Sequence, residues 1–140
     1  MFINLRNEEL APAIAFLQAI PLKATDSRHR SKLVKLLTVA YEELASSEKI
    51  LMDKFGLLDA DGSLKAEQDR SNENVKMFNL EQRVLYSEIV VIEGGMFVKN
   101  VEEIPRILKE FNGEISGKDA EIFDRLLDEF EKTNNDEEEK

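Results

Sequence analysis

The chain has 140 residues, 42% of them hydrophobic and 34% charged, with a formal net charge of −10. That length fits one domain with a real core, and the composition is that of a folded, helix-rich protein rather than a disordered one. The absence of cysteine excludes disulfides and thiolate metal sites, and so acidic a surface argues against direct binding to nucleic acid. No apolar run approaches the roughly 20 residues that span a bilayer, and the N-terminus lacks the basic and apolar regions of a signal peptide. No membrane partner is expected, and a cytoplasmic location is.

In chain order, Met1–Leu5 reads as an edge strand. Asn7 is expected to cap a first helix reaching about Ile20, with Glu8 and Glu9 at its positive end. Pro12 removes one backbone bond in the second turn, and Pro21 ends the helix. A second and longest helix is expected from a cap at Asp26 or Ser27 to about Phe55, where Gly56 stops it. Leu33, Leu36, Leu37, Ala40, Tyr41, Leu44, Leu51, Met52 and Phe55 form its apolar stripe.

The start of this helix is the one strongly basic segment of an acidic chain. Lys23, Arg28, Arg30, Lys32 and Lys35 lie within it, with the single histidine, His29, and one acid, Asp26. On the helical wheel Arg28, Lys32 and Lys35 fall opposite the stripe, His29 on its edge, and Arg30 inside it. An arginine there has to be paired or bound, because burying it alone costs several kcal/mol.

Asp59-x-Asp61-Gly62 falls short of a calcium loop, since the first and last ligand positions land on Leu57 and Gln68. A turn is the expectation. Val75–Tyr86 follows as a helix. Ile89-Val-Val-Ile92 is the best strand, turned by Gly94-Gly95 into a return strand Met96–Val98 that would complete a hairpin. Asn100 and Glu103 suggest a capping box for a helix to about Phe111. Ser116 and Asp119 open the last helix, where Ile122, Phe123, Leu126, Leu127 and Phe130 keep strict three/four spacing. Its polar side carries Asp124, Arg125, Asp128 and Glu129. Residues 133–140 have nothing to bury and are expected to form an acidic flexible tail.

The expected fold class is mostly α (α+β): a single helical domain over 1–132, with one long central helix and a small β-hairpin or two- to three-stranded sheet drawn from Met1–Leu5, Ile89–Ile92 and, as a third strand, Met96–Val98. A helix that long outruns so small a domain, which suggests a homo-oligomer.

Little chemistry is on offer. One histidine, no cysteine and no phosphate-binding glycine loop leave no nucleophile constellation, no metal set and no cofactor motif, so no enzyme is expected. The basic helix start is the candidate site. A helix N-terminus presents unpaired N–H groups and the positive end of a dipole. Ser27, Arg28, His29, Arg30, Lys32 and Lys35 there would seat an anionic small molecule or a partner. The alternative is structural, with Arg30 paired to Asp124 or Asp128 of the last helix.

Ile20-Pro-Leu-Lys23 followed by Ser27-Arg-His-Arg30-Ser-Lys-Leu-Val-Lys-Leu-Leu37 resembles an uncharacterised family of small bacteriophage and prophage proteins of Gram-positive bacteria. Ile115–Glu131 and Ile89–Gly95 fit the same family, whose most distinctive element is the Ser-Arg-x-Arg helix start. The resemblance implies a phage origin, action in the host cytoplasm and no established catalytic residues. A non-enzymatic accessory protein is then expected, one that binds a host component, through an acidic surface that mimics DNA or through the basic 27–35 helix start, and interferes with it as an anti-defence or takeover inhibitor. A virion or tail assembly factor and a sponge for an anionic nucleotide signal are the alternatives.

Overall fold

The computed structural model describes residues 1–138, with the side chains of residues 1–133. The chain begins as strand β1 (Phe2–Arg6) and passes directly into helix α1 (Asn7–Ala19). After the Pro21 break comes α2 (Ala24–Lys54), then α3 (Asn72–Ser87), β2 (Ile89–Glu93), the short α4 (Val98–Val101), α5 (Ile104–Glu110) and α6 (Gly117–Glu138). The fold is mostly helical with a two-stranded antiparallel sheet, in a single domain.

The strand Ile89–Ile92 was legible, but its partner was not Met96–Val98. β2 pairs with β1, with Ile3 opposite Ile92 and Leu5 opposite Val90. The glycines explain the difference. Gly94 is right-handed helical, and a Cβ on it would stand 2.8 Å from Val98 Cα, so the chain coils tightly here instead of reversing. With Gly95 at φ 53°, Gly95–Phe97 makes a helical turn that runs into α4. Asn100 therefore lies inside α4 rather than capping it, and α5 begins separately with Pro105 in its first turn.

Ile3 and Leu5 point into the core beside Leu10, Ala13, Phe16 and Leu17 of α1. Leu33 and Leu37 of α2 and Leu126 and Phe130 of α6 close it, with Phe16, Phe111 and Phe123 meeting edge to face or tilted. The stripe of α6 is buried at Ile122, Leu126 and Phe130 and half-buried at Phe123 and Leu127. That of α2 is fully buried only at Leu33, Leu37 and Leu44; its last two turns lie half-covered against α3.

One polar network joins α6 to the N-terminal strand. Arg125 donates to Glu9 (3.0 Å), to Glu129 (2.5 Å) and to the Asn4 carbonyl (2.8 Å), while Asn4 N–H donates to Glu129 (3.1 Å). Glu129, expected on the polar side, is thus buried. Burial alone would push its carboxyl up, but the Arg125 guanidinium and the Asn4 amide outweigh that and hold it below its ordinary value.

Helix α6 continues past Lys132. Thr133 is buried and its hydroxyl donates to Phe2 O at 2.6 Å. The rest of the expected tail runs as helix to Glu138; its side chains, and residues 139–140 altogether, lie outside the described residues.

No helix among the described residues is long and apolar enough to cross a membrane.

Candidate functional site

The basic helix start is built by the Pro21 break. Lys23 has extended backbone angles and no side chain caps α2, so neither Asp26 nor Ser27 takes the expected role. Asp26 sits in the first turn of the helix, where a negative charge is favoured. Arg106 of α5 grips its carboxylate at 2.8 and 3.3 Å and also donates to Glu103 and Glu110. That grip holds the Asp26 carboxyl below the usual range. The helix start thus already carries its own anion.

Arg30 lies on the inner side of α2, as the wheel predicts, and is half-buried. Its partners are not Asp124 or Asp128. The guanidinium donates to the carbonyls of Leu17 (2.9 Å) and Ile20 (2.5 Å) and to Ser27 Oγ (2.9 Å). Those carbonyls are orphan acceptors at the C-terminal end of α1, whose last turn holds no basic residue of its own. Arg30 is a cationic cap that fixes the α1–α2 corner.

The other residues of the segment diverge. His29 Nδ1 meets Asn100 Nδ2 of α4 at 3.2 Å. Lys32 and Lys35 place their ammonium groups 4.9 and 5.9 Å from the Phe97 ring centroid. Arg28 points into solvent. The nearest cleft, about 500 Å³ between the Pro21 turn and the end of α5, is lined by Lys23, Asp26 and Glu110 and by none of the six. Ser27 and Arg30 come together, as do Lys32 and Lys35, but the six do not converge on one point where an anion could sit.

A second surface was not legible as a site. Along one side of the molecule, two adjoining grooves of about 620 and 480 Å³ run between α2, α3 and β2 and share Ser47, Leu85 and Glu88. Val39, Ile50, Val84, Ile89 and Val91 line them and stand 51–69% exposed. Glu43, Glu81, Glu88 and Glu93 edge the same grooves, and no Lys, Arg or His lines either. The sequence signal was the unbroken β-branched run Ile89–Ile92. In a two-stranded sheet only Val90 and Ile92 can face the core, so Ile89 and Val91 are left outward.

The Asp61–Gly62 segment is the expected turn: Gly62 has φ 84° and Asp61 accepts from Ser63 N–H at 3.0 Å. Among the described residues no group of His, Asp and Glu is placed to hold a metal ion. In comparisons with known proteins, no family model, no curated protein and no solved structure matches this chain.

Proposed function

We propose that this is a non-enzymatic accessory protein that works by binding another protein through the acid-edged apolar strip of α2, α3 and β2. The observation that carries the reading is the cluster of five large aliphatic side chains left more than half exposed along continuous grooves. Water contact with such a strip is unfavourable at about 25 cal/mol per Å², and contiguous apolar patches with polar rims mark protein interfaces. Together with the resemblance to small phage proteins, this favours an interfering factor aimed at a host protein. The nucleotide-sponge reading draws less support, because Arg30 is engaged with α1, Lys32 and Lys35 lie over Phe97, and His29 meets Asn100.

The test is site-specific photo-crosslinking in producing cells, with the probe at Val84 or, separately, at Arg28. The reading expects a discrete protein adduct from Val84 that Val39→Asp suppresses and Arg28→Ala leaves intact. An adduct from position 28 alone, indifferent to Val39→Asp, contradicts it. The identity of the adduct separates host interference from virion assembly.

A further inference from the structure

The two edges of the small sheet are finished differently. On β1, the groups that point away from β2 are taken up by α6 and α1. Thr133 donates to Phe2 O, Asn4 N–H donates to Glu129, Arg125 donates to Asn4 O, and Arg6 N–H donates to Glu9, all at 2.6–3.1 Å. This edge is closed.

The register fixes which β2 groups face outward. Asn7 N–H donates to Glu88 O and Gly94 N–H donates to Met1 O, which extends the ladder by one bonded pair at each end. The pairs that exchange hydrogen bonds are therefore Leu5–Val90 and Ile3–Ile92, alternating with Arg6–Ile89, Asn4–Val91 and Phe2–Glu93. The α6 contacts of Asn4 independently require the same alternation. Ile89, Val91 and Glu93 thus turn their N–H and C=O groups away from β1. Among the described residues none of these groups has a hydrogen-bond partner. Beside them runs the larger groove, floored on the α2 side by Leu36, Val39 and Ala40.

An unpaired edge of β-branched residues next to an apolar floor is a template for strand addition. The charge around it selects the occupant. Glu43, Glu88 and Glu93 line this groove and none forms an ion pair among the described residues. A second copy of the chain would set these carboxylates against their own images in a protein of net charge −10. An extended segment bearing Lys or Arg between apolar residues would neutralise them.

We infer that the free edge of β2 takes up an extended, basic segment of a partner protein as a third strand, its alternate apolar side chains resting on α2. This rests on the reading of the strip as a protein-binding surface and names the mode of binding and the chemistry of the partner. Backbone bonds at Ile89, Val91 and Glu93 supply affinity, and the three glutamates supply the preference for basic sequence.

The experiment is an NMR titration of the whole protein with a capped peptide of alternating Val and Lys. Two control peptides accompany it, one with Glu in place of Lys and one N-methylated on alternate amides. The expected result is movement of the Ile89, Val91 and Glu93 amide signals with the Val/Lys peptide only. Val91→Pro removes an outward N–H without touching the β1 ladder and should weaken binding at least about tenfold. Val91→Lys, which keeps the backbone intact, serves as a second variant and should do the same through charge. No movement at millimolar peptide, equal binding of the N-methylated control, or equal binding by Val91→Lys would overturn the inference. So would movement of the same signals with protein concentration alone, which would assign the edge to a second copy. A Val84 photo-adduct that survives Val91→Pro sinks strand addition but leaves the strip reading standing. Loss of the Val39→Asp effect sinks the strip reading itself.

Discussion

Replacing Arg30 with Ala tests whether the basic helix start is architecture or a ligand seat. The guanidinium makes three hydrogen bonds, two of them to carbonyls that end α1, whose last turn holds no basic residue of its own. A hydrogen bond from a charged group contributes about 1.5–3 kcal/mol net, and a cation at a helix C-terminus about 0.3–1 kcal/mol. These overlap and the site is only half-buried, so Arg30→Ala should cost about 2–3 kcal/mol. For a chain of this size that lowers Tm by about 6–12 °C. Arg30→Lys keeps the charge but not the planar fork, and should lose about half as much. Arg28→Ala, whose side chain is in solvent, should stay within about 0.5 kcal/mol. Urea unfolding followed by far-UV circular dichroism gives all three values. A loss below about 0.5 kcal/mol for Arg30→Ala would refute the capping role. A rise in wild-type Tm with phosphate or nucleotides, abolished by Arg28→Ala, would show that the segment seats an anion.

Other outcomes follow from the polar contacts. Glu129 is held below its ordinary value in the folded chain, so its contribution is present above about pH 4.5 and is lost as pH falls; wild type should lose more stability than Glu129→Gln between about pH 5 and pH 3, measured by urea midpoints. The Tyr86 phenol donates to Glu48, which together with burial and the nearby negative charge pushes it up to about 12. Its contribution is therefore complete below about pH 10 and lost as pH rises through about 12, which ultraviolet titration of the Tyr41→Phe variant reads directly. Thr133→Val leaves the Phe2 carbonyl without its hydroxyl donor and should cost about 1 kcal/mol by thermal unfolding.

How much of this was legible depended on where each signal resides. The start and apolar stripe of α6 were readable because Ile122, Leu126 and Phe130 repeat at helical spacing and bury as a unit, whereas its run past Lys132 was not. The Pro21 break and the strand at Ile89–Ile92 are carried by local backbone preference, and both are present. That Met1–Leu5 and Ile89–Ile92 share one small β element was readable from their β-branched and apolar runs, but the return strand at Met96–Val98 is absent, because the Gly94-Gly95 signal there serves a helical turn. Arg30 was correctly placed on the inner side, but its acceptors are backbone carbonyls, and no side-chain type announces those. Glu129 read as a surface residue because its position on the wheel says nothing about the strand laid against α6. The apolar strip was missed for a related reason. Val39, Ile50 and Val84 lie far apart in sequence, and only the α2–α3–β2 packing brings them side by side.

Hydrogen exchange on the protein alone and in its crosslink-verified complex tests the central claim most directly. Binding through the strip predicts slowed exchange over 89–93, 81–88 and the 39–51 part of α2, with 24–35 unchanged. Protection confined to 24–35, with β2 exchanging as fast as in the unbound protein, would contradict it.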